Sequence, residues 1–121
     1  MTLELLSDKE VRRAYEADAS GLRFLPEFVA RPESVAEIVD VMRHAEADRI
    51  PVTCAGAQSS TTGASITDRG ILLSLRGMDS ISEVDIGART VRVGPGAFVA
   101  DVKRKTAAAG LLFPPDPTSE E

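Results

Sequence analysis

Apolar and polar residues follow one another in the first half of the chain in a way that predicts a strand, a helix and a second strand. The apolar run Phe28–Ala30 predicts a short strand, and Pro32 prevents it from continuing. A capping box at Ser34–Glu37 then opens a helix. The predicted inner face of this helix consists of Val35, Ile38, Val39, Met42 and Ala45. Val52 and Thr53 begin the next strand, so we expect a βαβ unit with parallel strands and a right-handed crossover.

The second half of the chain predicts shorter strands and one further helix. Gly70–Leu75 is a continuous apolar run, which is typical of a buried strand. Ile81–Asp85 and Thr90–Val93 are separated by turn residues and predict a hairpin. Phe98–Ala109 predicts a helix, with Gly110 just after its end in the left-handed conformation. We therefore predict an α+β fold, in which a βαβ start and an antiparallel meander form a small mixed sheet with helices packed on it.

Composition limits the classes of protein to which the chain can belong. Its 121 residues can bury one hydrophobic core, and its net charge of −5 comes without a basic patch, which argues against nucleic-acid binding. No apolar run is long enough for a transmembrane segment and no signal-peptide core is present, so we expect a soluble, cytoplasmic protein. The single cysteine, Cys54, closes a predicted strand and is expected to be buried as a small hydrophobic residue.

The segment Pro51–Gly63 is the part of the sequence that points most clearly to a ligand. A short strand runs into a loop of glycine, alanine, serine and threonine, whose small side chains let the backbone approach a ligand closely. Successive turn residues can direct their N–H groups into one concavity, and the hydroxyls of residues 59–62 add further donors. Such a loop suits a phosphate or a pyrophosphate, although an ordinary turn after a strand has the same composition.

Other types of site have no support in the sequence. His44 is the only histidine, and we expect it to be solvated on the polar side of the predicted helix, not to act as a catalytic base. One histidine and one distant cysteine do not form a metal-ligand cluster. The chain contains neither the G-x-x-x-x-G-K-[ST] loop of nucleoside triphosphate hydrolases nor the G-x-G-x-x-G order of nicotinamide-binding folds.

Several segments, taken in order along the chain, resemble a known family. They are Tyr15–Ser20 (YEADAS), Phe28–Met42, Pro51–Gly63, Gly70–Leu75, Ile81–Asp85, Thr90–Pro95 and Leu111–Glu121 (LLFPPDPTSEE). Together they resemble the FAD-binding domain of the FAD-linked oxidases, of the p-cresol methylhydroxylase and vanillyl-alcohol oxidase type. The likeness is greatest to the branch of D-lactate dehydrogenase and the glycolate oxidase FAD subunit, and it extends from about Tyr15 to Ser119.

The resemblance implies which residues contact the cofactor. The residues implied to meet the FAD pyrophosphate, chiefly through backbone N–H groups, are Ala55, Gly56, Ala57, Gln58, Ser59, Ser60, Thr62 and Gly63. The residues implied to lie near the flavin ring are Pro114, Pro115, Asp116, Thr118 and Ser119. A double proline fixes φ at both positions and makes a stiff wall. Asp18 and Ser20 are expected to bond local backbone and not the flavin.

Two loop positions depart from the family pattern. Many relatives have an arginine where this chain has Ala55, so a cation that could neutralise phosphate charge is missing. Many have a glycine where this chain has Gln58, whose backbone must adopt a conformation compatible with a Cβ. The loop also lacks a histidine to which a flavin could be attached, and we therefore expect FAD to be bound noncovalently.

By resemblance, the intact protein is a flavin-dependent oxidoreductase that transfers a hydride from a 2-hydroxy acid, of the D-lactate or glycolate type, to FAD. Residues 1–26, with a capping box at Ser7–Glu10 and a helix to about Ala17, form a helical lead-in. Residues 27–121 form the N-terminal part of the FAD-binding domain.

The resemblance also implies that the catalytic residues lie outside this chain. They would belong to the remainder of the same polypeptide or to a complementary chain, so the 121 residues alone are expected to be inactive. Two alternatives remain open: a non-catalytic truncated fragment, and a small module that binds a phosphate ligand or a partner protein.

Overall fold

A computed structural model describes residues 2–119 of the chain. In chain order its helices and strands are α1 (Lys9–Arg13), β1 (Phe28–Ala30), α2 (Val35–Asp48), β2 (Val52–Ala55), β3 (Ile71–Ser74) and α3 (Val99–Ala108). The chain divides into two compact units, Met1–Gly77 and Met78–Glu121. Glu120 and Glu121, the end of the predicted FAD-domain segment, lie outside the described residues.

The first unit is built on a three-stranded parallel sheet with the order β1-β3-β2. The connection between β1 and β2 contains α2, and β3 inserts between the two strands, so that Ile71 is aligned with Phe28 on one side and with Val52 on the other. The predicted βαβ unit with parallel strands is therefore present. The run that contains β3 does not belong to an antiparallel meander. Its four residues are all buried, as expected for the central strand of a parallel sheet.

One side of α2 packs on this sheet. The buried cluster consists of Ala30, Val41, Ala45, Ile71 and Leu73. Of the predicted inner face, Ala45 is buried and Ile38 packs against the cluster, but Val35, Val39 and Met42 are exposed. The predicted inner face was therefore wrong: the face that packs on the sheet is rotated about the helix axis from the predicted one. Apolar residues occupy more of the helix circumference than the sheet covers. Spacing alone could not select between the stripe that contains Val41 and the stripe that contains Met42.

The lead-in before β1 is also ordered. Its helix is shorter than predicted, ending at Arg13 instead of Ala17, and the capping residue is Asp8, whose carboxylate accepts from two backbone N–H groups of the first turn. Leu6 forms an antiparallel bridge with Val29 through two hydrogen bonds of 2.8 and 2.9 Å. This bridge makes the edge of the sheet mixed beside β1.

Both long helices are followed, within two residues of their last helical residue, by a residue in the left-handed conformation. After α2 this residue is Arg49, with φ of 55°, and the next N–H, of Ile50, donates to the carbonyl of Ala45 at 2.8 Å. After α3 it is Gly110, with φ of 78°, as predicted. The N–H of Leu111 then donates to the carbonyl oxygen of residue 106 at 3.0 Å. Glycine adopts this conformation without steric cost, whereas arginine adopts it at a steric cost because of its Cβ.

The second unit pairs residues around a turn without forming a continuous strand in residues 78–119. Isolated antiparallel bridges join Ile81 to Val93 and Asp85 to Thr90. The predicted hairpin pairing is thus present at these two bridges, and the N–H of Ser82 also donates to the carbonyl oxygen of Arg92 at 2.8 Å, but a full meander is not confirmed. Between the two bridges, residues 82–84 and 91–92 are exposed or half-buried, so no buried face extends the ladder there.

Candidate functional site

The loop predicted to bind a phosphate begins where β2 ends, at the carboxyl end of the parallel sheet. Ala55, the last residue of β2, is buried, and its carbonyl oxygen accepts a hydrogen bond from the N–H of Leu75 at 2.9 Å. Ala55 therefore holds the start of the loop in the sheet, and Gly56 is the first residue beyond it. Loops that follow the carboxyl ends of parallel strands are common ligand sites in open α/β sheets.

The predicted cofactor residues of this loop differ in exposure. Gly56, Gln58, Ser60 and Gly63 are half-buried, and Ala57, Ser59 and Thr62 are exposed. Of the residues that the structure describes, none accepts a hydrogen bond from a backbone N–H between Gly56 and Thr61. A Cβ added to Gly56 would meet no atom within 4 Å, so the space beside the first of these groups is open.

Ser60 organises the second half of the loop. Its hydroxyl oxygen accepts from the N–H groups of Thr62 and Ala64, both at 3.2 Å. The loop therefore contains two kinds of N–H group. Among the described residues, those from Gly56 to Thr61 have no acceptor, whereas those of Thr62 and Ala64 donate to Ser60 and stabilise the turn. An anion bound here would meet N–H groups of the first kind. Residues 55–63 contain no acidic side chain that would repel it.

Gln58 connects the loop to two other parts of the chain. Its backbone has φ of 55°, in the left-handed region that is unfavourable for a residue with a Cβ. Its side-chain Nε2 donates to the carbonyl oxygens of Tyr15 at 3.0 Å and Ser65 at 3.1 Å. Both amide protons are used, and the two hydrogen bonds offset the backbone strain. The compatibility with a Cβ that the sequence left open is thus achieved by side-chain bonding.

Asp18 is hydrogen-bonded to Ser65, one of the two residues whose carbonyl oxygens accept from Gln58. One carboxylate oxygen accepts from the N–H of Ser20 at 2.9 Å and from the Ser20 hydroxyl, and the other accepts from the hydroxyl of Ser65 at 3.2 Å. These bonds, with that from the Ser20 hydroxyl foremost, hold the pKa of Asp18 below its usual value. The Ser20 hydroxyl oxygen in turn accepts from the N–H of Leu22 at 3.1 Å. The local role predicted for Asp18 and Ser20 is confirmed.

The segment that carries Asp18 is closed on itself. Ala17 and Arg23 form an antiparallel bridge, and the N–H of Phe24 donates to the carbonyl of Glu16 at 2.9 Å. An ion pair of 3.0 Å also joins Arg23 and Glu16. Residues 15–24 therefore form a compact turn, which we call the support turn.

Gly63 contacts the support turn at the far end of the loop. Its φ is 79°, and a Cβ at this position would lie 3.3 Å from Cδ1 of Leu22. Sequence reasoning identified the glycine but missed the contacts that Gln58 and Ser65 make with the support turn. Hydrogen bonds that span 43 and 47 residues leave no local pattern. The one available signal was a long amide side chain in a loop of otherwise small residues.

The second predicted stretch, Pro114–Ser119, belongs to the second unit and is exposed. The carboxylate of Asp116 pairs with Nζ of Lys103 on α3 at 2.7 Å. An open groove is lined by Lys103, Ala107, Leu111, Leu112, Phe113, Pro114 and Asp116. The structure thus brings Pro114 and Asp116 to this groove and leaves Pro115, Thr118 and Ser119 on exposed chain.

Cys54 is exposed, which corrects the prediction that it is buried. Among the described strands β2 lies at the edge of the sheet, and Cys54 is on the opposite face of it from buried Ala55, because successive strand side chains alternate between the two faces. His44 lies on α2 with Nε2 3.6 Å from Oδ2 of Asp48. Within residues 2–119, no three His, Cys, Asp or Glu side chains are grouped so that they could hold a metal ion. Over the same residues, no helix has the length and apolar character needed to cross a membrane.

Known proteins resemble this chain over most of its length. The FAD binding domain family matches residues 26–121. A glycolate oxidase subunit from Bacillus subtilis is 30% identical over 110 residues, which cover 89% of this chain and 23% of the relative. A D-lactate dehydrogenase from Anaerostipes hadrus is 30% identical over 93 residues, covering 76% of this chain and 20% of the relative. The chain therefore spans about a quarter or less of the length of these relatives.

Solved structures share the fold. A 6-hydroxy-D-nicotine oxidase from Arthrobacter nicotinovorans superimposes with a TM-score of 0.78 at 25% identity, over 93% of this chain and 25% of that protein. An alkyldihydroxyacetonephosphate synthase superimposes with a TM-score of 0.80 at 20% identity, over 97% of this chain and 26% of that protein. Sequence and fold agree on one assignment: the chain belongs to the FAD binding domain family of the FAD-linked oxidoreductases, whose cofactor is FAD.

Proposed function

We propose that the loop from Ala55 to Gly63 binds the pyrophosphate of FAD. The observation that carries this proposal is the run of backbone N–H groups from Gly56 to Thr61 that have no acceptor among the described residues. Pyrophosphate oxygens are anionic acceptors, and N–H groups on successive turn residues are suited to them. The open space beside Gly56 also fits such a ligand, because the backbone can be approached closely there.

The loop would bind this anion without a cation of its own. Residues 55–63 contain no lysine or arginine, so backbone dipoles and the hydroxyls of Ser59, Ser60 and Thr62 would carry the interaction. Hydrogen bonds from uncharged donors are weaker than those from charged ones. We therefore propose that residues outside the loop neutralise part of the phosphate charge.

We propose a separate contact between Pro114–Ser119 and the flavin ring. The two adjacent prolines fix the backbone and provide a rigid surface against which an aromatic ring can pack. The ion pair between Asp116 and Lys103 supports this stretch from α3. In this proposal Pro115, Asp116 and Ser119 contact the cofactor, and Lys103 maintains the position of the carboxylate.

For the whole protein we propose oxidation of a CH–OH group by a noncovalently bound flavin. The flavin supplies the hydride acceptor when it is bound, and the residues of this chain bind and orient it. The names of the relatives suggest the substrate class. They include a glycolate oxidase subunit, a D-lactate dehydrogenase and a D-2-hydroxyglutarate dehydrogenase from Pseudomonas putida. A 2-hydroxy acid is therefore the first candidate. A polyol is the second, because an alditol oxidase from Streptomyces is 33% identical over 98 residues.

The remainder of the cofactor site, and the group that removes the substrate hydroxyl proton, would lie in further polypeptide or in a complementary chain. The support for this proposal is the small share of each relative that the chain covers, 23% and 20% for the two described above. The loop alone would also leave much of the surface of a FAD molecule in water, whereas protein ligands are usually largely enclosed.

The substitution Gly56→Val tests the loop in the protein that carries the complete FAD site. The fold should persist because the added Cβ meets no protein atom within 4 Å, whereas the branched side chain would obstruct the approach of the anion. We expect the purified variant to have an unchanged circular dichroism spectrum and to have lost its flavin absorbance. Gly87→Val is the control, since that glycine also lacks a positive φ and its Cβ would lie 3.5 Å from Asp85 Oδ1. Full flavin occupancy in Gly56→Val would contradict the proposal.

A further inference from the structure

We infer that Gln58 is a positioning residue whose side-chain amide fixes the phosphate-binding loop in the conformation that accepts FAD. This inference rests on the proposed function of the loop and names a determinant of its affinity. Gln58 has no amide proton left for a ligand, since Nε2 donates to the carbonyl oxygens of Tyr15 and Ser65. Its side chain therefore acts on the cofactor through the backbone that it holds.

The two acceptors lie in parts of the chain that are themselves held. The N–H of Tyr15 donates to the carbonyl of Arg12 at 3.1 Å, and the guanidinium of Arg31 lies 5.6 Å from the centre of the tyrosine ring. Ser65 is buried, with 8% of its surface exposed, and its hydroxyl donates to Asp18. The two hydrogen bonds from Gln58 Nε2 thus attach its side chain to ordered structure at two places. One is Tyr15 in the support turn, and the other is Ser65 at the downstream end of the loop.

The loop has few other internal bonds at this point. The N–H groups from Gly56 to Thr61 make none within the described part of the chain, so they do not restrain the backbone. The φ of 55° at Gln58 is moreover unfavourable unless it is enforced. Without the amide, the loop would sample other conformations, and FAD binding would have to restore the order at an entropic cost. The amide removes this cost before the ligand arrives.

Three substitutions separate the contributions of Gln58. Gln58→Ala removes the amide and keeps the Cβ. Gln58→Gly removes the amide and also relieves the left-handed strain. Gln58→Glu replaces the side-chain NH2 group with a carboxylate oxygen, which would face the carbonyl oxygens of Tyr15 and Ser65. In the flavoprotein that contains the complete FAD site, we expect the Kd for FAD to rise by about tenfold or more for Gln58→Ala and Gln58→Glu, and by a smaller factor for Gln58→Gly.

A pH profile distinguishes positioning from a general loss of packing. Two carbonyl oxygens would raise the pKa of the new carboxyl group in Gln58→Glu, and its protonated form can donate one hydrogen bond. FAD affinity of this variant should therefore recover in part as the pH is lowered through that pKa, relative to the wild type over the same range. In the FAD-free proteins, NMR order parameters of the amides of residues 59–62 should fall from about 0.85 to below about 0.6 in Gln58→Ala.

Asp68→Ala is the matched control, because Asp68 is an exposed residue of the same connection between β2 and β3 and pairs with its neighbour Arg69 at 3.9 Å. It should leave FAD affinity and loop order unchanged. If the wild type binds FAD and all three Gln58 variants bind it equally well, or if the loop amides stay ordered in Gln58→Ala, the inference is wrong while the proposed function stands. If the folded wild-type flavoprotein site fails to bind FAD, the proposed function itself fails, and the inference with it.

Discussion

The carboxylate of Asp18 accepts a hydrogen bond from the hydroxyl of Ser65 at 3.2 Å, across 47 residues of sequence. The carbonyl oxygen of Ser65 accepts in turn from Gln58, so one serine links the support turn to the loop of residues 55–63. Hydrogen bonds from Ser20 and Ser65 lower the pKa of Asp18, with the Ser20 hydroxyl as the largest cause. The ionised carboxylate is therefore the form that fits this arrangement.

We expect acid to weaken the support of the loop. The folded-state pKa of Asp18 is depressed, so its contribution to stability is complete above the unfolded-state pKa, about 3.9, and is lost as the pH falls through the folded-state value. Asp18→Asn should unfold at a lower urea concentration than the wild type at pH 7, and the difference should shrink below about pH 4. Asp68→Asn is the exposed control and should match the wild type at both pH values. A deficit of Asp18→Asn that is the same at pH 7 and in acid would refute this assignment.

Alanine substitutions at three glycines distinguish destabilisation by steric contact from destabilisation by backbone strain. Gly70 has φ of 62°, and a Cβ there would lie 2.2 Å from the carbonyl oxygen of Pro51. Gly21 has φ of 83° with no neighbour within 4 Å, and Gly56 has neither feature. We expect urea unfolding to give losses of at least about 2 kcal/mol for Gly70→Ala, about 1 kcal/mol for Gly21→Ala and less than about 0.5 kcal/mol for Gly56→Ala. Equal losses for Gly70→Ala and Gly21→Ala would show that the Pro51 contact relaxes freely.

The two left-handed helix ends predict opposite effects of exchanging arginine and glycine. Arg49→Gly removes the steric penalty after α2 and should raise the free energy of unfolding by about 0.5–1 kcal/mol. Gly110→Arg introduces that penalty after α3 and should lower it by about 1 kcal/mol. Arg49→Ala keeps the Cβ and controls for the loss of charge. If Arg49→Ala stabilises as much as Arg49→Gly, the cause is the charge and not the backbone.

We expect acid precipitation of the flavoprotein to release FAD chemically unchanged, because we propose that the cofactor is bound noncovalently. The loop contains no histidine, and Cys54, although exposed, precedes the loop on β2. All flavin absorbance should appear in the supernatant, for the wild type and for Cys54→Ser alike. Flavin that stays in the wild-type pellet but is released from Cys54→Ser would identify a covalent bond to this cysteine.

Strong local signals account for the parts of the fold that the sequence predicted. Ser34 caps α2 by accepting from the N–H of Glu37, and Gly110 takes the left-handed position after α3. The continuous apolar run at β3 indicated a buried strand. Its central place between two parallel strands was not predicted, because strand order depends on contacts between distant segments.

Choices between nearly equivalent local alternatives were less predictable. Ser7 and Asp8 are both good capping residues, and the structure selects Asp8. Apolar residues around α2 allowed two inner faces, and the sheet selects the one with Val41. At the candidate site, the small residues of the loop made it recognisable from the sequence. The two hydrogen bonds from the Gln58 side chain could not be predicted, because one of them joins residues 43 positions apart and residue spacing does not indicate such contacts.

A crystal structure of the FAD-bound protein would test the central claim most directly. We predict phosphate oxygens of FAD within about 2.7–3.2 Å of several backbone nitrogens between Gly56 and Thr61. In the same structure the amide of Gln58 should still donate to the carbonyl oxygens of Tyr15 and Ser65. A pyrophosphate bound elsewhere, with the N–H groups of this loop facing water, would contradict the account.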